Sequence, residues 1–205
     1  MKINKYYIAI AGLFFLIILS KILFEFYTAP RWKLKKAIEA GDIKLVSKLL
    51  DKDNEIVNKR VDSVTPLQYA IFYRKFEIAK LLIKYGADVN AKGYRNNVPP
   101  LSSAAMRGEV GFMKLLFDNG ADIDAKDRNN KTPLMYAASN CQKKSIEFLI
   151  NKGANINLKD IYTKYDPSPR KNAFDYAQDA GCSEDIKKLL REHTSNDGQI
   201  GDVHK

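Results

Sequence analysis

Few side chains in this chain have the types and spacing that catalysis requires. Its two histidines, His193 and His204, lie in or beside a polar C-terminal stretch (HTSNDGQIGDVHK), where no acid or nucleophile is positioned to make either a general base. Two cysteines, Cys141 and Cys182, are too few for a disulfide framework, and with two histidines they leave little material for a metal site. Gly198 and Gly201 lack the preceding strand of a phosphate-cradling loop. Paired carboxylates recur as they must at 28% charged residues, and they read as solvated faces. Neither enzymatic activity nor a cofactor or metal is expected. Binding is left: 34 Lys and Arg against 24 Asp and Glu give a net charge of +10, which attracts an acidic protein, lipid or nucleic-acid surface.

The elements that would present those charges are unequal along the 205 residues. Apolar residues make up 45%, ordinary for a globular chain and too many for wholesale disorder. They are concentrated at the N-terminus, where residues 6–19 (YYIAIAGLFFLIIL) form an uncharged run behind Lys2 and Lys5. Fourteen helical residues span about 21 Å, short of a hydrocarbon core of about 30 Å. Continuing to Phe24 gives about 28 Å if the Lys21 ammonium snorkels to the head groups. An uncleaved single-pass anchor over 6–24 is therefore expected, behind a basic head at 1–5 and before a linker at 25–31. A cleaved signal peptide is disfavoured because the best cleavage position, after Ala29, has Tyr27 at minus three and Pro30 just beyond. A core helix is a third reading of the same run. The flanking charges leave the side of the membrane open: Lys21, Arg31, Lys33, Lys35 and Lys36 lie beyond the run and Lys2 and Lys5 before it, yet a short basic head ordinarily stays inside while the rest crosses.

Beyond the linker the sequence repeats. GADVN at 86–90, GADID at 120–124 and GANIN at 153–157 set glycines 34 and 33 residues apart. TPLQYA at 65–70, PPLSSA at 99–104 and TPLMYA at 132–137 carry a leucine that precedes each glycine by 19 residues. Two markers locked at one offset over three copies define a structural repeat. They resemble the TPLHxA and LLxxGADVN signatures of the ankyrin repeat. Degenerate copies at Leu34 and Phe174 extend the resemblance over 32–192. It implies an all-α solenoid of about five helix–turn–helix units (about 32–64, 65–97, 98–131, 132–171 and 172–192) with β-hairpin fingers, followed by a disordered tail at 193–205.

Residue types agree with that resemblance. Thr65-Pro66 and Thr132-Pro133 combine an N-cap hydroxyl with proline at the first helical position. Ala70, Ala104 and Ala137 are small enough for inner helices to approach closely. Leu81-Leu82, Leu115-Leu116 and Phe148-Leu149 supply the stripe between layers, and Gly86, Gly120 and Gly153 suit left-handed helix stops. Ser63, Asn97 and Asn130 stand where the family usually has a finger glycine, and asparagine tolerates the left-handed region next best. Gln68, Ser102, Met135 and Asp175 replace the family's usual histidine, which predicts a looser local network and modest stability. Seven extra residues between units four and five fall in IYTKYDPSPR at 161–170, read as a tolerated surface insertion or an added partner contact. Cys141 and Cys182 occupy nearly equivalent turns of successive units, about 8–10 Å apart at helix-layer spacing. That exceeds the disulfide limit of about 7 Å, so free thiols are expected; a bridge, if the last unit were displaced, would point to an oxidising compartment.

The four finger segments, 58–64, 91–98, 125–131 and 158–171, hold eleven Lys and Arg against four Asp, a net +7 of the chain's +10. The expected partner-binding set draws on them: Lys59, Arg60, Lys92, Tyr94, Arg95, Lys126, Arg128, Lys131, Tyr162 and Lys164. Five and six places after each marker leucine stand Phe72 and Tyr73, Met106 and Arg107, Ser139 and Asn140, at positions that resemble the family's variable binding positions. Aromatic and methionine side chains beside arginine have the composition of an interface hot spot; the competing reading turns Phe72 and Met106 into the core. The expectation is a monomeric, membrane-tethered, non-catalytic scaffold that binds an acidic protein surface through a concave groove. Alternatives are an immunity-type inhibitor that occludes a toxin or hydrolase, and contact with anionic lipid head groups. Nucleic acid is not expected, because no recognition helix or stacking motif is present.

Overall fold

The structure is a computed structural model that describes residues 29–93, 96–161 and 170–194, together with the single positions Phe15 and Ile18. The 6–24 anchor, apart from those two positions, and the tail from 195 lie outside the described residues. Among the described residues no helix is long and apolar enough to cross a membrane.

Among the described residues from Pro30 on, ten α-helices follow one another in pairs: α1 (Pro30–Ala40) and α2 (Ile43–Lys52), α3 (Pro66–Phe72) and α4 (Phe76–Lys84), α5 (Pro100–Met106) and α6 (Val110–Asp118), α7 (Pro133–Ser139) and α8 (Lys143–Asn151), α9 (Ala173–Asp179) and α10 (Glu184–Thr194). A 3-10 turn, Asn54–Asn58, closes the first unit. Three of the first helices start at a reciprocal side-chain cap. Thr65 Oγ1 accepts the Gln68 N–H at 3.2 Å while Gln68 Oε1 accepts the Thr65 N–H, and Thr132 with Met135 and Asn172 with Asp175 close the same reciprocal box. Proline 99 has no side-chain acceptor, so α5 begins uncapped. First helices of successive units pack in series, α1 on α3, α3 on α5, α5 on α7 and α7 on α9. Ala70, Ala104, Ala137 and Ala177 are wholly buried in that layer, because only a methyl side chain fits between helices so close. Leu82, Leu116 and Leu149 are buried with them. The second helices end at Gly86, Gly120 and Gly153, with φ of 87°, 87° and 84°.

The fingers differ from the β-hairpins expected. Ser63, Asn97 and Asn130 do take positive φ, at 70°, 52° and 59°. Only one isolated bridge, Val61 to Val64, forms among the described residues. Single backbone bonds still close the fingers, Gly93 N–H to Val98 O at 3.2 Å, Asp127 N–H to Lys131 O at 3.1 Å and Asp160 N–H to Lys171 O at 3.1 Å. Neighbouring fingers are joined as well: the Arg128 N–H donates to Asn96 O at 2.9 Å, and the Ile161 N–H to Asn129 O at 3.1 Å. Bonding between units thus adds to sparse bonding within each finger.

A second ladder runs along the helix ends. Asn58 donates its amide to Gly86 O and accepts the Asp88 N–H, both at 2.9 Å; Asn90 does the same with Gly120 O and the Asp122 N–H, at 3.0 Å. The third rung is Asp124, which accepts the Asn155 N–H at 3.0 Å but as a carboxylate has nothing to donate. Burial raises its pKa and the neighbouring Asp122 adds to the shift, against the Asn155 N–H and Lys126.

The cysteines are not free. A disulfide joins Cys141 to Cys182, with Cα atoms 5.3 Å apart, which overturns the free-thiol expectation. The last unit is not displaced, since α9 packs on α7 as α7 does on α5. The error lay in treating the two turns as directly opposed. Gly41, Arg74, Gly108, Cys141 and Gly181 share the left-handed turn between paired helices, with φ from 51° to 78°. Each such turn residue meets the next unit one position further along. A Cβ on Gly41 would lie 3.1 Å from Lys75 Nζ, and one on Gly108 would run into Gln142. Arg74 pairs with Glu109 across the same diagonal, and Cys141 with Cys182 continues the series. Lys143 to Asp185, 2.5 Å apart, links the same two units; its ammonium, with the Ser183 hydroxyl, holds the Asp185 carboxyl down at about 2.

Candidate functional site

Three tyrosines fix the fingers to the first helices. Two places after the marker leucine, or after Phe174 in the last unit, Tyr69 donates to Val61 O at 3.0 Å, Tyr136 to Asp127 Oδ2 at 2.7 Å and Tyr176 to Asp160 Oδ2 at 2.5 Å. Asp127, 6% exposed, also accepts the Asn129 and Lys131 N–H groups, so one carboxylate organises the whole finger at 125–131. Burial, then the hydrogen bond to Asp127, pushes the Tyr136 phenol well above its usual range. Gln68, in the place of the missing histidine, carries its amide across to Val98 O at 2.9 Å. The expected loosening is therefore absent there, whereas the hydroxyl of Ser102 is buried with no partner among the described residues.

Unit three breaks the tyrosine pattern. Ser103 occupies the position, and its hydroxyl turns back to Pro99 O at 3.3 Å. A cavity of about 400 Å³ opens beside it, between units two and three, walled by Val64, Tyr69, Phe72, Val98, Met106 and Arg107. Phe72 is 57% exposed and Met106 36%, so neither turns into the core. Arg107 lies over the Phe72 ring, 5.3 Å from its centroid, and its Nε is buried without an acceptor among the described residues. Sequence reasoning missed Ser103 and the cavity; the alternation Tyr69, Ser103, Tyr136, Tyr176 was the signal for both.

The other predicted residues divide by what they already do. Tyr73 donates to Glu39 Oε1 at 3.0 Å, and Ser139 and Asn140 both turn back to Tyr136 O. Arg60 donates to Lys92 O at 2.9 Å, Lys131 lies over the Tyr176 ring at 4.5 Å, and Lys59 sits 3.7 Å from Glu55. Lys92, Lys126 and Arg128 are exposed. Tyr94, Arg95, Tyr162 and Lys164 lie outside the described residues. Lys35, absent from the predicted set, anchors the first finger by its 2.8 Å ion pair with Asp62. Burial works against its charge, but Asp62 and Tyr69 outweigh it and its pKa is raised.

The family model for ankyrin repeats, three copies long, matches residues 33–93 and 92–160. The chain belongs to the ankyrin repeat family. Ankyrin repeats are generally protein–protein interaction modules, and the family is typically non-catalytic. Among relatives, this ankyrin chain is 41% identical over 71 residues to an ankyrin repeat protein of Rickettsia bellii, covering 30% of this chain and 42% of that one. It is 34% identical over 74 residues to the ankyrin repeat protein FPV024 of Fowlpox virus, covering 36% and 12%. It is 32% identical over 134 residues to alpha-latrocrustotoxin-Lt1a of Latrodectus tredecimguttatus, covering 64% and 9%. The matched part thus spans less than half the length of each.

Proposed function

We propose that this ankyrin array is a non-catalytic binding module that holds an acidic segment of a partner protein in the groove between its fingers and first helices. The observation that carries the reading is Phe72. A large aromatic side chain left 57% exposed, beside Met106 and under the Arg107 guanidinium, is the composition and placement of an interface anchor. The net +7 of the fingers supplies steering toward an acidic surface.

The reading includes a tether through residues 6–24, supported by their hydropathy, and places the array on an oxidising side of the membrane, supported by the Cys141–Cys182 bridge. Tethering acts by raising the partner's effective concentration at the membrane. Charge reversal at Arg95, Arg128 and Lys131 in the full chain is expected to abolish partner binding, while reversal at Lys144, on α8 away from the fingers, leaves it intact; equal effects from both sets would refute the groove. Removal of residues 1–31 separates recruiter from inhibitor: a recruiter loses function while binding persists, and an inhibitor still blocks its target in solution.

A further inference from the structure

We infer that the cavity between units two and three takes an aromatic side chain from the partner, in the place that the chain's own tyrosines fill in neighbouring units. The proposal rests on the groove being the binding surface and specifies what it recognises there. Tyr69, Tyr136 and Tyr176 each send a ring from the first helix up against the finger that immediately precedes that helix. Ser103 is the same position in unit three, and its side chain ends at Pro99 O. The space a third-unit ring would fill lies against Val98 and opens to the groove. Its walls are mostly apolar, with Val64 and Val98 from the two fingers and Phe72 and Met106 from the two helices; the one carboxylate among the described lining residues, Asp62, is held in its ion pair with Lys35.

The rim supplies the second element of recognition. Arg107 borders the cavity with its Nε buried and lacking an acceptor among the described residues. A desolvated guanidinium N–H is costly to leave unmade and pairs best with a carboxylate. An aromatic ring in the cavity with a carboxylate one residue away satisfies both features, and the basic fingers favour further acidic residues on either side. The occupant is therefore an acidic peptide segment carrying an aromatic side chain, donated by another protein.

The test uses the full chain in mild detergent, with its four methionines labelled at the methyl carbon, so that the Met106 resonance reports on the cavity wall. Short Gly/Ser peptides with a Glu-Tyr-Glu centre, a Glu-Ala-Glu centre and a Gln-Tyr-Gln centre are titrated. The Glu-Tyr-Glu peptide is expected to shift Met106 saturably, about tenfold to a hundredfold more tightly than Glu-Ala-Glu, the range for burying one aromatic side chain. Arg107→Gln should remove the advantage of Glu-Tyr-Glu over Gln-Tyr-Gln. Ser103→Tyr, which gives unit three the residue of its neighbours, should abolish the shift while the melting temperature holds or rises. The comparison between peptides needs no variant, so it stands even if Ser103→Tyr fails to fold. Equal binding of the Tyr and Ala peptides, lost together on reversal of Arg128 and Lys131, would overturn the aromatic pocket and leave the basic groove standing. No shift with any peptide would overturn the pocket as well. Binding seen only after Tyr94→Ala would do the same, since the chain's own finger would then be the occupant.

Discussion

Cys141 and Cys182 are joined across the last boundary of the array, one rung of a diagonal that also pairs Arg74 with Glu109. In a linear stack each unit is held only by its neighbours, so the terminal unit, with one neighbour, gains most from a covalent tie. Closing a loop of 41 residues' separation contributes about 2–4 kcal/mol. Cys141→Ser with Cys182→Ala should therefore speed amide exchange in α9 and α10 well ahead of α3 to α8. Chain trapped with a thiol-blocking reagent should show no labelled cysteine until it is reduced. Free thiols in freshly isolated protein would contradict both the bridge and the oxidising location.

Asp124 is the weak rung of the ladder made by Asn58 and Asn90. Asp124→Asn supplies the missing donor toward Gly153 O and should stabilise the array by about 1 kcal/mol at neutral pH, one hydrogen bond's worth. The gain depends on pH with a definite sign. Because the folded array holds the Asp124 proton more tightly than the unfolded chain, wild-type stability falls as pH rises from the ordinary value of 3.8 through the raised one. Below 3.8 the carboxyl is protonated in both states and the advantage of Asn should shrink. Denaturant titrations of both proteins at pH 7 and near pH 3 check this; a gain that grew on acidification would contradict it.

Asp127 serves three donors from one buried carboxylate. Asp127→Ala leaves them unpaired and should cost about 2–4 kcal/mol, whereas Tyr136→Phe, which removes one donor, should cost about 1 kcal/mol. A double-mutant cycle on equilibrium unfolding should show coupling between the two; strict additivity would mean that the Tyr136 bond does nothing for the finger.

Much of this was legible in the sequence, because ankyrin units are specified locally. Thr65-Pro66 and Thr132-Pro133 set helix starts, Gly86, Gly120 and Gly153 set helix stops, and a fixed spacing orders the units. What escaped reading depends on register between units. Periodicity says that Cys141 and Cys182 lie one unit apart, but not that a left-handed turn residue leans toward the next position of the following unit. The fingers misled in part for the same reason, since some of their backbone groups bond to the preceding finger while too few bond within it to make strands. Ser103 was visible as a break in a column of tyrosines, yet its consequence, a void, exists only once two units are stacked. The basic charge was read correctly in amount but not in use, because Arg60 and Lys131 are partly engaged in holding neighbouring units together.

Pro99 marks a place where the array falls short of its own pattern. Pro99→Thr recreates the Thr-Pro-Leu start of units two and four, giving α5 the N-cap it lacks, and should raise stability by about 1 kcal/mol. Thermal unfolding of the variant checks this. A lower melting temperature would mean that the rigid Pro99-Pro100 pair matters more than the cap.

The central claim is that the face bearing Phe72 is where a partner binds. A photo-crosslinking amino acid placed at position 72 of the full chain, and in a second variant at exposed Lys114 on α6, tests it in cells. The account predicts one discrete cross-linked protein from position 72, lost when Arg128 and Lys131 are reversed, and none from position 114. Cross-linking of the same protein from position 114, or from position 72 irrespective of those charges, would contradict it.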